Sequence, residues 1–128
     1  MVKRGILVVA EDTKLCGPIK EQMQNNTTET YCAGSLSEVL RLTTKHEFCL
    51  DIPDLQLSGI ETLEMVRIIR ISQQAPILAL TDSLKLNQEI VLHHTGVNAL
   101  MKKPIRADVC AAQAESLIRL CLQTDRSK

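Results

Sequence analysis

The chain has 128 residues, of which 45% are apolar, and its 15 basic and 15 acidic side chains balance to a formal net charge of zero. This length predicts one domain with a substantial core. The charge balance gives no support for nucleic-acid binding, and no apolar run approaches the roughly 18 residues that a membrane span needs. The five cysteines show no Cys-x-x-Cys pair, so we expect free, mostly buried thiols rather than a metal centre.

Strand-like and helix-like segments alternate along the chain and are joined by short connections. Short apolar or Thr-, Tyr- and Cys-rich runs predict strands near 5–10, 28–33, 47–51, 75–80 and 97–101. Apolar residues at helical spacing predict five helices, around 15–23, 36–42, 60–69, 86–94 and 109–121. This alternation predicts a (βα)₅ doubly wound α/β fold with helices on both faces of a parallel sheet, followed by a short tail at 124–128.

Three polar residues lie where predicted strands end: Asp51, Thr81 and Lys103. The carboxyl ends of parallel strands open into one crevice, and ligands bind in that crevice. A carboxylate, a hydroxyl and an ammonium group that meet there suit a phosphoryl group and its metal ion, because charge neutralisation and positioning dominate phosphoryl transfer. The sequence therefore predicts a phosphoryl site at this edge of the sheet.

Four motifs follow one another at intervals typical of one family. Segment 6–12 is an apolar strand that ends in two acids, and Asp51 is followed by the glycine-containing segment 57–61. Thr81 follows a leucine, and segment 96–104 ends in a Lys-Pro pair. Together they resemble the receiver domain of two-component response regulators. The resemblance covers residues 1–123 and implies a CheY-like, flavodoxin-like sheet with strand order 2-1-3-4-5.

The resemblance also implies roles for individual residues. Asp51 would be the phospho-acceptor, and Thr81 and Lys103 would contact the phosphoryl oxygens. Glu11, Asp51 and the backbone carbonyl of Pro53 would bind Mg²⁺ or Mn²⁺. Asp12 and Asp82 are further candidate ligands for this metal. We expect weak metal binding, because Ala10 stands where the family usually has the first acid of its pair.

Asp54 is the alternative phospho-acceptor. The resemblance places a glycine eight residues after the acceptor, and Gly59 stands eight residues after Asp51. Pro53 also favours Asp51, because proline cannot donate to a sheet ladder and a central strand should end before it. We therefore expect Asp51 at the strand end and Asp54 in the loop that follows.

Three further positions depart from the family pattern. Asp82 places an extra acid directly after Thr81, where it would either repel phosphate or act as a replacement ligand. Leu100 occupies the position of the usual aromatic switch residue, and Leu55 replaces a common proline. These departures predict slow phosphorylation and a muted structural response.

The function implied by the resemblance is a signalling switch rather than an enzyme, assisting only its own phosphorylation and dephosphorylation. A histidine kinase or a phosphotransfer domain would phosphorylate Asp51. The fourth helix, fifth strand and fifth helix would then bind an output domain or a second copy of the chain. We expect a cytoplasmic protein that binds neither nucleic acid nor membranes. The alternative is a pseudo-receiver, an interaction module that works without phosphorylation. A flavodoxin-like cofactor protein is disfavoured, because residues 11–14 would repel a phosphate.

Overall fold

The computed structural model describes residues 4–23 and 28–126. Within these ranges, five strands alternate with five helices. The elements are β1 (Arg4–Val9), α1 (Thr13–Met23), β2 (Thr28–Ala33), α2 (Leu36–Lys45), β3 (Phe48–Pro53), α3 (Thr62–Ser72), β4 (Leu78–Thr81), α4 (Leu86–Thr95), β5 (Ala99–Lys102) and α5 (Ala107–Arg126). The (βα)₅ prediction is confirmed. Helix α5 extends to Arg126 and so enters the segment predicted as a tail.

The strands are parallel and lie in the order 2-1-3-4-5. Strand β1 pairs with β2 on one side and β3 on the other, and β4 pairs with β5. Between β3 and β4 the pairing is reduced to two isolated bridges, Asp51 to Ile77 and Asp54 to Leu80. The predicted strand order is therefore confirmed, but the sheet consists of a three-stranded and a two-stranded part.

Pro53 explains this break in the sheet. The backbone N–H groups of Asp51 and Leu55 donate to Pro76 O at 3.0 Å and Leu80 O at 2.8 Å, on the β4 side. Backbone donors alternate between the two neighbours of a central parallel strand, so the nitrogen of Pro53 also faces β4, where it has no hydrogen to donate. The prediction that β3 ends at Asp51 is wrong. Proline interrupts the ladder to one neighbour, while the pairing of Pro53 with Val9 of β1 continues.

Helices cover both faces of the sheet. Alternate residues of β1 point to opposite faces, so Ile6 and Val8 pack on one side and Leu7 and Val9 on the other. Helices α1 and α5 cover the first face with Cys16, Ile19, Met23, Cys110, Ala114 and Ile118. Helices α2, α3 and α4 cover the second with Val39, Leu42, Met65, Val66, Ile69 and Leu92. The sheet is buried on both sides, as the apolar strand sequences predict.

Arg70 connects the end of α3 to the loop after α4 through hydrogen bonds. Its guanidinium donates to Ala75 O at 2.7 Å and to Gly96 O at 2.6 Å. Gly96 terminates α4 with φ of 134°, a conformation that residues with a Cβ rarely adopt. The fourth helix thus ends one residue beyond the predicted range of 86–94.

Cys16 of α1 and Cys32 of β2 form a disulfide, with Cα atoms 6.3 Å apart. The expectation of free thiols is therefore wrong for this pair, because α1 packs back over β1 and brings two cysteines that are distant in sequence into contact. Cys110 is a free thiol. Burial raises the pKa of the Cys110 thiol to about 11.

Within residues 4–23 and 28–126, no helix is long and apolar enough to cross a membrane.

Candidate functional site

Asp51 lies inside the protein and not in the crevice at the carboxyl edge of the sheet. Its side chain is fully buried beneath α3, where Oδ1 accepts a hydrogen bond from Gln73 Nε2. Its other oxygen, Oδ2, has no hydrogen-bond partner among the described residues. Burial raises the pKa of Asp51 to about 8, against the opposing effects of the Arg70 charge and the Gln73 hydrogen bond. The structure does not bring Asp51 to Lys103.

Asp54 occupies the position that the sequence analysis gave to Asp51. It follows the last residue of β3, and its backbone N–H donates to Val9 O at 2.7 Å. Its carboxylate oxygen Oδ1 forms a salt bridge of 2.8 Å with Lys103 Nζ. The Asp54 side chain is 12% exposed and the Lys103 side chain 27% exposed, so the ion pair is mostly buried but still in contact with solvent. This is a charge-assisted hydrogen bond at the mouth of the crevice.

Thr81 and Lys103 meet at the same edge, as predicted. The backbone N–H of Lys103 donates to Thr81 O at 2.8 Å, which aligns the ends of β4 and β5. Thr81 is 1% exposed, and Leu80 beside it pairs with Asp54. A carboxylate, a hydroxyl and an ammonium group thus come together at this edge, and the carboxylate is that of Asp54 rather than that of Asp51.

Gln56 connects these groups and was missed in the sequence analysis. Its backbone N–H donates to Asp54 Oδ1 at 3.0 Å, and its side-chain Nε2 donates to Thr81 Oγ1 at 3.2 Å. Its Oε1 accepts from the backbone N–H of Asp82 at 3.2 Å. An aspartate that bonds the N–H two residues ahead forms an Asx turn, which is typical of a chain leaving a strand. That property of Asp54 is the sequence signal that could have identified it as the strand end.

The acids that follow β1 have different roles. Glu11 is exposed and accepts hydrogen bonds from the backbone N–H of Ser58 and, at 3.1 Å, from Ser58 Oγ. These bonds lower the pKa of Glu11. Asp12 instead caps α1, because its Oδ1 accepts from the N–H of Lys14 at 2.8 Å. Ala10 is buried, with its N–H bonded to Ala33 O.

The oxygen donors at this edge fit a weakly bound divalent cation. Glu11 and Asp54 are the two carboxylates that could bind such a cation, since Mg²⁺ prefers oxygen ligands and keeps several waters. Residues 4–23 and 28–126 contain no group of three or more His, Cys, Asp or Glu side chains that could hold a metal. Pro53 lies within β3, so the prediction that it belongs to the loop after the strand is wrong. Two carboxylates and a loop carbonyl suffice only for a water-rich site.

Comparison with known proteins shows that the chain has the CheY-like fold of response regulator receiver domains. A CheY-like receiver domain protein from Methanospirillum hungatei matches with a TM-score of 0.85 and 18% identity, over 96% of this chain and 99% of that one. A response regulator from Thermotoga maritima matches with a TM-score of 0.81 and 18% identity, over 92% and 99% of the two chains. The predicted resemblance and fold class are confirmed.

Two other comparisons bear on the chemistry and the length of the chain. A response regulator from Burkholderia pseudomallei, solved with a phosphorylated aspartic acid and a calcium ion, matches with a TM-score of 0.76 and 18% identity over 96% of this chain and 73% of its own. The sensory transduction protein BceR of Halalkalibacterium halodurans is 23% identical over 114 residues, or 89% of this chain. The chain spans about half the length of this curated relative, at 49%. No family model matches the sequence.

Proposed function

We propose that the chain is a receiver domain that accepts a phosphoryl group on Asp54, in place of the Asp51 favoured by sequence alone. The observation that supports this function is the 2.8 Å contact between the Asp54 carboxylate and Lys103 Nζ, next to the Thr81 hydroxyl. Asp51 makes no such contact, and its buried carboxyl group has no route to a phosphate donor. The proposed role is signalling and not enzymatic turnover of a separate substrate.

The contacts of Asp54 indicate which oxygen would react. Both hydrogen bonds that the described residues donate to this carboxylate go to Oδ1, from Gln56 and Lys103. Oδ2 would therefore attack the phosphorus, forming an acyl phosphate as the bond to the donor breaks. Lys103 would neutralise the phosphoryl charge as a point charge. Thr81 would donate its hydroxyl proton to a phosphoryl oxygen while still accepting from Gln56.

Glu11 and Asp54 would hold the divalent cation, Mg²⁺ or Mn²⁺. The loop carbonyl would come from Gln56, which stands two residues after Asp54 as Pro53 stands two residues after Asp51. The cation would neutralise part of the negative charge of the acids and of the incoming phosphate. Glu11 would have to exchange its bonds to Ser58 for the metal, which together with Ala10 favours weak binding.

A histidine kinase or a phosphotransfer domain would supply the phosphoryl group, and the protein would then act in the cytoplasm. The output surface would be formed by α4, β5 and α5, for an output domain or a second copy of the chain. Leu86, Ile90 and Val91 of α4 are 73%, 48% and 44% exposed, which supplies apolar area for such a contact. Leu100 lies on β5 in this surface and offers no polar group to report the position of Thr81.

The test is labelling with acetyl phosphate and Mg²⁺, read by intact mass and peptide mapping. We expect one phosphoryl group on wild-type protein and on Asp51→Asn, and none on Asp54→Asn. The two variants are matched, because each replaces one aspartate of the same strand region by its amide. Labelling that survives in Asp54→Asn and disappears in Asp51→Asn would return the role to Asp51.

One contact favours a second candidate, the pseudo-receiver. The Gln56 side chain bridges Thr81 Oγ1 and the backbone of Asp82, and so occupies the groups that a phosphoryl oxygen would approach. In this alternative the domain binds its partner without modification. Absence of labelling in both wild-type protein and Gln56→Ala, with partner binding intact, would favour the alternative.

A further inference from the structure

The disulfide between Cys16 and Cys32 joins a weak part of α1 to the edge strand β2. Cys16 is followed by Gly17 and Pro18, and both lie inside the helix. Glycine and proline are the two residue types that most disfavour a helix interior. Pro18 also lacks the N–H that would bond the carbonyl of Lys14, one turn earlier. The first turns of α1 therefore depend on contacts from outside the helix.

The two cysteines of the disulfide differ in their exposure to solvent. Cys16 is 4% exposed, whereas Cys32 is exposed on β2. A disulfide with one exposed sulfur can be attacked by an external thiolate, and such disulfides are typically the labile, regulatory ones. In reducing compartments, disulfides are rare and usually redox-sensing.

We infer that Cys16 and Cys32 form a reversible redox switch that controls the order of the first turns of α1 and of the Glu11 loop. This loop lies between β1 and α1, only five residues before Cys16, and Glu11 holds the backbone N–H of Ser58. Oxidation fixes the start of α1 against β2 and keeps Glu11 on Ser58. Reduction leaves the Gly17-Pro18 turn without its covalent support. The inference concerns helix order and does not depend on phosphorylation.

The redox steps balance with a peroxide as oxidant and a small thiol as reductant. The Cys32 thiolate attacks hydrogen peroxide, giving a sulfenic acid and water, and the Cys16 thiolate then displaces the second oxygen as water. In the reverse direction, a glutathione thiolate attacks the Cys32 sulfur and Cys16 leaves as thiolate. A second glutathione then releases Cys32 and carries away the oxidised disulfide.

Hydrogen exchange on the full chain tests the switch in mixtures of reduced and oxidised glutathione, with mass mapping of the Cys16–Cys32 peptide pair. Reduction should speed amide exchange in residues 14–20 and at Ser58 by about 10- to 100-fold. The upper value reflects the roughly hundredfold effect on unfolding of a crosslink closing a loop of this size. Cys32→Ser, at an exposed position, should show the fast exchange under both conditions.

Two outcomes would overturn the inference. The first is equal exchange of residues 14–20 in oxidised and reduced wild-type protein, because the crosslink would then support nothing that α1 lacks. The second is a disulfide that glutathione cannot reduce in the folded protein, since a permanent bond is not a switch. Cys32→Ser cannot form the Cys16–Cys32 disulfide. Any effect of glutathione on exchange in this variant therefore comes from the remaining cysteines and can be subtracted.

Discussion

Replacing Asp51 by asparagine should change how stability depends on pH. Burial raises the pKa of this carboxyl group from 3.8 to about 8, so the folded state binds a proton that the unfolded state releases. Stability from this group is fully present below pH 3.8 and is lost as pH rises towards 8. The loss is about 1.4 kcal/mol per pH unit over this window, and so about 4 kcal/mol between pH 5 and pH 8.

Urea unfolding of wild-type protein and Asp51→Asn at pH 5, 6, 7 and 8 measures this term. The free energy of unfolding of the variant, relative to that of the wild type, should rise by up to about 4 kcal/mol from pH 5 to pH 8. The reason is that asparagine has no proton to lose. A constant difference is expected from the amide nitrogen that replaces the unpartnered Oδ2, at about 1–3 kcal/mol, but it does not vary with pH. Asp82→Asn removes the same formal charge from an exposed position and is the control for net charge.

Parallel stability curves for wild-type protein and Asp51→Asn would refute the reasoning. They would mean that Asp51 titrates alike in the folded and unfolded states, and that its buried position beneath α3 is wrong. A pH-dependent gain in Asp82→Asn equal to that in Asp51→Asn would refute it as well, because net charge would then account for the effect.

Four other substitutions test separate parts of the structure. Lys103→Met should slow acetyl phosphate labelling by about 10- to 100-fold, because it removes one partly buried ion pair with the phosphoryl oxygens, worth about 1.5–3 kcal/mol. Unchanged labelling would mean that Lys103 does not face the phosphate. Asp82→Ala should speed labelling by removing a like charge, whereas slower labelling with weaker Mg²⁺ binding would show that Asp82 is a ligand. Gly96→Ala should lower the free energy of unfolding by about 1–3 kcal/mol, because φ is 134° and the new Cβ would lie 2.9 Å from Arg70 Nε. Gly17→Ala, with no atom within 4 Å of the new Cβ, should instead raise it by up to about 1 kcal/mol, and similar losses in both would contradict the strain argument.

The sequence predicted the fold because its strands and helices differ in period and alternate along the chain. Strand β1 is apolar at every position from Ile6 to Val9, as expected of a sheet that is buried on both faces. The strand order followed from the family resemblance and agrees with the pairing. These features depend on local pattern, and local pattern is what a single sequence contains.

The acceptor position could not be fixed in the same way. Asp51 and Asp54 both follow apolar residues, and the choice between them depended on where β3 ends. The proline predicts a strand that ends before Pro53, but in the structure Pro53 interrupts the ladder to only one of the two neighbouring strands. The partners that distinguish the two acids, Lys103 and Gln73, are 49 and 22 residues away in sequence. The Cys16–Cys32 pairing depends likewise on how α1 packs, which no spacing rule contains.

The break at Pro53 divides the candidate site as well as the sheet. Asp54 continues from β3 of the three-stranded part, whereas Thr81 and Lys103 belong to the edge formed by β4 and β5. The Lys103 salt bridge and the Gln56 amide are therefore side-chain contacts across a seam, the boundary between β3 and β4, where backbone pairing is sparse. An anion held by groups on both sides would tighten this seam, and loss of the anion would relax it. A single proline, by interrupting the backbone pairing here, would thus leave the relative position of the two parts of the sheet dependent on charge at their common edge.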